Sequence, residues 1–456
     1  MDSGRKKSAS EALIRILAFT LAISVMSATM FNIVLPEIRH EFGLSMSEVS
    51  WATTSYLLVF AIGSVIYGKL ADRYHLKTLI TVGFMTLVVG SVIGMLSEAY
   101  GMLIIARVLQ AVGAAVIPAI SGIIPVRYFP PEHRGRALGI SMAGGAIGSA
   151  AGPAAAALLV SIVHWRILFF IPLLTLLALP FYYRYLHDNK VGTSRMDWPG
   201  CSLLAGAVAM LLLSITNSAG FTAIMFVVLL VSFIWRIQRA ATPFVQPDLF
   251  KNVRYSLGLA ISFAMTGIGY SLAFLTPTLL TQVHVLRPGL SGIVMVPAAI
   301  AAALLSQSGG KMADNKGISF LFRIAASLYL LCFLLLSSFT GTSPIWIALF
   351  LILGGVGQAF MSIVLAKSIS LSLPNEQSGV GMGLLSMLNF IAGAVFASLY
   401  GTMVDQGATQ AWNPLIADPS AYVFSNIYVM LTVLIVAVGV LFIAFFNRKV
   451  MPKVRR

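Results

Sequence analysis

Long apolar runs and short polar turns alternate from one end of the chain to the other. A helix needs about 20 mostly apolar residues to cross the hydrocarbon of a bilayer. On that measure fourteen runs qualify: 13–36, 50–70, 78–97, 101–126, 138–163, 166–185, 198–217, 219–236, 255–280, 289–308, 318–340, 344–368, 379–403 and 422–446. Several of the turns between them are only a few residues long, which forces neighbouring helices to run antiparallel. The segment Arg236–Arg254, with Pro243 and Pro247, reads as a linker between two groups of helices. The expected fold is an all-α integral membrane protein. A six-helix bundle over 1–190 and another over 251–456, related by a pseudo-two-fold axis, flank two inserted helices and a linker over 191–250.

Composition supports the bilayer as solvent. Of the 456 residues, 58% are hydrophobic and only 10% charged, against roughly 25% charged in a soluble domain. The net charge of +15 would suggest nucleic acid in a soluble protein. Here the basic residues sit in turns, and they are unevenly divided. With both termini in the cytoplasm, 24 of the 30 Lys and Arg fall on the cytoplasmic side, and only Arg39, Arg166 and Arg287 fall on the other. That asymmetry predicts cytoplasmic termini and an even number of spans. The polar, basic start Met1–Glu11 leads into a first span with no cleavage-like site, so a retained helix is expected rather than a signal peptide. Cys201 and Cys332 lie inside apolar runs, and the six histidines are scattered among separate turns. No disulfide, metal site, cofactor or enzyme cluster is expected from such spacing.

One turn stands out. Gly68–Lys77 packs Asp72, Arg73, Lys69 and Lys77 between two apolar runs, and about 240 residues later Gly309–Gly317 repeats it in weaker form around Asp314. A charged turn recurring in corresponding halves of an apolar chain suggests an internal duplication, which in membrane proteins usually belongs to transporters. Gly68, Leu70, Ala71, Asp72, Arg73 and Lys77 also resemble the loop signature Gly-x-Leu-Ala-Asp-Arg-x-Gly-Arg-Lys of the major facilitator superfamily. His75 and Leu76 replace a glycine and a basic residue of that signature. The resemblance implies that Asp72 caps a helix and binds an arginine across the bundle, holding the inner face shut. Span four carries Arg107 and Gln110 in a run similar to the family's Arg-x-x-Gln-Gly motif, with Ala111 in the glycine position. A charge inside a span costs several kcal/mol and must face protein or water. The resemblance implies a part for Arg107 in proton coupling. In span five, Gly148, Gly152 and Pro153 match an antiporter motif whose final glycines are here Ala156 and Ala157.

The first span departs from the family: Thr29, Asn32, Leu35 and Pro36 fit, but Ser27 stands where an aspartate is usual. No acidic residue falls at mid-membrane. Coupling could then use edge carboxylates such as Glu37 or Asp405, or Asp72 with Arg107 through water, or the protein could be an uncoupled facilitator or exchanger. Polar or aromatic positions inside spans, Asn32, Tyr56, Gln110, Asn217, Tyr270, Gln307, Gln358 and Asn389, are candidates for the solute path. A cavity with few polar groups and no anion suits a small amphipathic solute. The resemblance is to fourteen-span drug:proton antiporters, most of all to Gram-positive tetracycline-efflux proteins. It implies a monomeric exporter in a bacterial cytoplasmic membrane that moves an antibiotic-like compound against protons. A metabolite or lipid exporter of the same fold is the alternative within the family, and a receptor or scaffold the alternative outside it.

Overall fold

The computed structural model describes residues 2–160, 162–186, 197–217, 220–286, 288–374, 377–416 and 418–446. Lys190, Arg195, Arg287, Glu376 and the basic tail lie outside them, as do the side chains of Asn32, Pro153 and Asn217. The architecture is all-helical. The first half runs α1 (Asp2–Phe42), α2 (Met46–Ala71), α3 (Leu76–Met95), α4 (Tyr100–Ala114), α5 (Val116–Tyr128), α6 (Arg134–Val160), and a 3₁₀ run Trp165–Ala178 continued by α7 (Leu179–Tyr185). Next come α8 (Trp198–Asn217), α9 (Gly220–Arg239) and the single turn α10 (Asp248–Lys251). The second half is α11 (Val253–Gln282), α12 (Pro288–Asn315), α13 (Ile318–Ser338), α14 (Pro344–Ser372), α15 (Ser378–Gln406) and α16 (Tyr422–Phe446).

Among the described residues, 12 segments are long and apolar enough to cross a membrane. Of the fourteen expected runs, 138–163 and 198–217 are not among them. The first is α6, which lies close against α1 through its glycines. A Cβ on Gly144 or Gly148 would overlap the Ala18 or Ala22 carbonyl of α1, and one on Gly152 the Thr29 hydroxyl. Small residues thus bring two backbones into contact. In the second, α8, the described apolar stretch ends at Ser214. The fourth expected run is one span made of two helices. Pro118 has no N–H to offer the Ala114 carbonyl, and α4 gives way to α5 at Ala115.

Turn chemistry fixes where helices begin. Ser45 and Glu48 form a reciprocal capping box at the start of α2, with the Ser45 N–H donating to Glu48 Oε2 at 2.8 Å. Gly43, at φ +63°, supplies the left-handed turn just before it.

Each half has its own apolar core: Tyr56, Phe84, Ile117 and Tyr182 in the first, Leu275, Tyr329, Phe333 and Tyr428 in the second. A third cluster lies on the seam, where Cys201, Leu204 and Val208 of α8 meet Val65 of α2 and Met387 of α15. The buried Asp197 carboxylate holds the α8–α9 hairpin there, accepting from Gly200 N–H at 3.1 Å, Arg236 Nη2 at 3.0 Å and Phe244 N–H at 3.3 Å.

Candidate functional site

Asp72 stands at the end of α2 and faces the start of α15 in the other half. Its carboxylate accepts from the Gly379 and Val380 N–H groups at 3.0 and 3.1 Å and from Arg127 Nη2 at 2.7 Å. The first amides of a helix have no intrahelical acceptor and carry partial positive charge, so a carboxylate there satisfies them and gains from the dipole. Arg127 also donates to the Ala71 carbonyl at 2.8 Å.

Asp314 repeats this arrangement with the halves exchanged. At the end of α12 it accepts from Gly135 and Arg136 N–H at 2.8 and 2.7 Å, the first amides of α6, and from Lys367 Nζ at 2.5 Å. Lys367 also donates to the Ala313 carbonyl at 2.9 Å, as Arg127 does to that of Ala71. The glycines correspond too. A Cβ on Gly68 would overlap the Gly379 carbonyl, and one on Gly310 the Gly135 carbonyl. Gly383 lies against Ser64, and Gly139 against Ser306. Arg134 ties the two sites together, donating to the Val126 carbonyl at 2.9 Å and the Ser370 carbonyl at 3.4 Å. Both aspartates therefore lie on one face.

The arginine bound to Asp72 comes from its own half, not from across the bundle as the resemblance implied; what crosses the seam is backbone N–H. Arg73 and Lys77 point elsewhere, toward the rings of Tyr74 and Tyr183. Burial pushes the Asp72 carboxyl up to about 6, against the pull of Arg127 and the two amides.

Deeper in, an aromatic stack crosses the seam. Phe390 of α15 meets Phe60 of α2 edge-on at 4.9 Å, and Phe60 stacks on Tyr56 at 5.6 Å. Tyr56 and Phe31 sandwich the fully buried Arg107 guanidinium at 4.1 and 4.0 Å. Arg107 Nη1 donates to Gln110 Oε1 at 2.9 Å, and Gln110 to Ser91 Oγ at 2.9 Å. In the second half, Asn389 accepts from Ser262 and Thr266 at 3.0 and 3.1 Å, and Tyr270 packs beside Gly393. Gln358 lies by Gly269 and the Tyr329 hydroxyl, while Gln307 is half-buried on α12. Glu37 is exposed on a surface recess with His40, Glu41, His164 and Trp165, and Asp405 is exposed at the end of α15. Gly148 and Gly152 pack α6 on α1. The structure thus joins Asp72 to Gly68 and Tyr56 to Arg107 and Gln110, and keeps Glu37 and Asp405 apart from both groups.

Sequence reasoning passed over Arg127, Lys367, Gly135 and Gly379. The signal was present: laying the two halves over each other at the spacing of Asp72 and Asp314 brings Arg127 within two or three residues of Lys367, and Gly135 as near Gly379.

The profile of the Major Facilitator Superfamily matches residues 17–397. The chain belongs to that superfamily. This member is a transporter rather than an enzyme, and a multi-pass protein of the cytoplasmic membrane. It is 26% identical over 447 residues to the riboflavin transporter RibZ of Clostridioides difficile (strain 630), an alignment covering 95% of this chain and 97% of that one. It is 25% identical over 417 residues to multidrug resistance protein 3 of Bacillus subtilis (strain 168), covering 88% of this chain and 81% of the relative. Among solved structures, the proton:xylose symporter XylE superposes with a TM-score of 0.68 at 13% identity, covering 96% of both chains. That likeness is one of fold.

Proposed function

We propose that this transporter exports a small amphipathic compound, of the drug or antibiotic kind, from the cytoplasm by alternating access in exchange for protons. The observation that carries the alternating-access part is the pair of matched contacts at Asp72 and Asp314. Each is made by one half on a helix start of the other, so both break if the halves rock apart. The face they close is the cytoplasmic one in this reading, since the basic turns lie there. The chain then spans fourteen times, with α6 and α8 crossing beside the twelve apolar segments. Their 27 and 20 residues correspond to about 40 and 30 Å of helix. The two six-helix bundles are the halves over 1–190 and 251–456, and the α8–α9 hairpin is an insertion that covers one seam. Asp72, raised to about 6 by burial, is the group placed to exchange a proton, while Glu37 and Asp405 lie exposed and apart from the seam.

Export of a drug draws support from the names of relatives such as multidrug resistance protein 3. A second reading, riboflavin as the solute, draws on the alignment with RibZ over 97% of that protein's length. Inverted membrane vesicles separate these. With an imposed pH gradient, each candidate solute should accumulate and release protons in step. Accumulation unchanged after the gradient is collapsed would remove the antiport assignment. Accumulation of riboflavin alone would decide the solute.

A further inference from the structure

Among the described residues, Arg107 is a cation without a counter-charge. Its guanidinium is fully buried on α4, with Nε donating to the Ala52 carbonyl at 3.1 Å and Nη1 to Gln110. Nη2 makes no hydrogen bond, and no described ion pair includes Arg107. The Tyr56 hydroxyl adjoins the Ser27 hydroxyl of α1. Both are buried, and neither completes a hydrogen bond of ordinary geometry. The Tyr56 ring lies 4.1 Å from the guanidinium, so Arg107, Tyr56 and Ser27 form one buried cluster among α1, α2 and α4. The rings of Phe31 and Tyr56 offset part of the cost of burying the charge through cation–π contact. Water could fill a donor's valence, but it would leave the charge unbalanced in a low-dielectric setting.

The internal repeat supplies a control. Gly113 packs against Gly83 and Leu87, and Gly357 packs in the same way against Ala325 and Tyr329. Counting back equally from these glycines sets Arg107 opposite Leu351 and Gln110 opposite Gly354. Leu351 is buried in the core of its half. Packing at this position is thus met by an apolar side chain, and the charge in the first half answers a different need.

We infer that Arg107, with the Ser27 and Tyr56 hydroxyls, forms a buried site for one singly charged anion, either a halide ion or the carboxylate of a small organic acid. The inference concerns binding and does not depend on the export reading. The site has no exposure in this closed form, so the anion enters and leaves as the halves move.

The test is equilibrium binding of radiolabelled chloride and, separately, radiolabelled acetate to the purified full-length protein in a neutral detergent. Saturable binding of about one label per chain is expected. Arg107→Leu, which installs the residue of the other half, should reduce it at least tenfold. Ser27→Asp should do the same by placing a carboxylate beside Tyr56, and it stands as the second variant if Arg107→Leu does not yield a monodisperse protein. Chloride binding without acetate binding, or the reverse, identifies the source of the charge. If neither label binds saturably, or if binding is unchanged in the variants, the inference is overturned.

Discussion

The two starting glycines of the seam-crossing helices offer a test that leaves every charge in place. A Cβ on Gly379 would overlap both the Gly68 carbonyl and the Asp72 carboxylate; one on Gly135 would overlap the Gly310 carbonyl and the Asp314 carboxylate. The obstacle in each case includes backbone, which has no rotamer to yield. Restoring ordinary contact requires the helix start to retreat by about 1 Å. The Gly379 and Val380 N–H bonds, now at 3.0 and 3.1 Å, would then lengthen beyond hydrogen-bond range. Bonds to a charged acceptor are worth about 1.5–3 kcal/mol each, and renewed hydration of the carboxylate returns part of that. A net loss of about 2 kcal/mol per site shifts the closed-to-open ratio about thirtyfold. Because the two sites share no donor, Gly379→Ala with Gly135→Ala should lose about 4 kcal/mol. Spin labels on Tyr74→Cys and Lys316→Cys, both exposed and in opposite halves, report the opening in nanodiscs by pulsed electron resonance; Cys201 and Cys332 are buried and form a quiet background. Each alanine should move population to longer distances to a similar degree, with thermal stability unchanged or slightly raised by the better helix former. A shift from one glycine only, or from neither, would refute the matched-contact reasoning.

Other outcomes follow from the same geometry. Lys367→Met leaves Asp314 buried, at 5% side-chain exposure, without its cation; the closed form should lose about 3–5 kcal/mol, read as the same lengthening of label distance. Acidification should favour closure. The Asp72 carboxyl lies at about 6 when closed and returns toward its ordinary 3.8 when hydrated, so the closed form takes up the proton more readily. The gain is complete below about pH 3.8 and is lost as pH rises through about 6. Titrating the label distances between pH 4 and 8 should show it, and Asp72→Asn should abolish it. Gly148→Val would force α6 away from the α1 backbone at Ala22. Overpacking of this kind costs about 1–3 kcal/mol, and it should lower the melting temperature without a selective change in the label distances.

How much of this was legible beforehand depends on range. Apolar periodicity marks most of the helices because a span must satisfy its own backbone bonds, and that requirement is local. It marks α6 as well, but it does not reveal that Gly144, Gly148 and Gly152 lie against the α1 backbone. Asp72 and Asp314 were visible as a repeated turn. Their partners were not, because Arg127 and Lys367 at the ends of apolar runs read equally well as orienting charges, and Gly135 and Gly379 as ordinary small residues. Each acquires meaning from a contact more than a helix length away. Arg107 could be seen as a charge inside a span, whereas the missing partner on Nη2 is a property of packing among three helices.

The symmetry of the two contacts constrains what can drive transport. Opening the closed face breaks four amide-to-carboxylate bonds in all, two at each aspartate. At about 1 kcal/mol net for each, that is about 4 kcal/mol. A solute can open the face only by binding the open form more tightly, here by about a thousandfold, because equal affinity for both forms shifts nothing. On the proposed antiport, a small amphipathic solute supplies part of that discrimination and a group whose charge changes during the cycle supplies the rest. Asp72, which pairs with Arg127 and is raised to about 6 by burial, is such a group. Above that pH Asp72 loses its proton, and the open form gains by hydrating a charge that the closed form keeps buried. The halves would then part first along the α2–α15 seam, the seam on which the α8 hairpin rests.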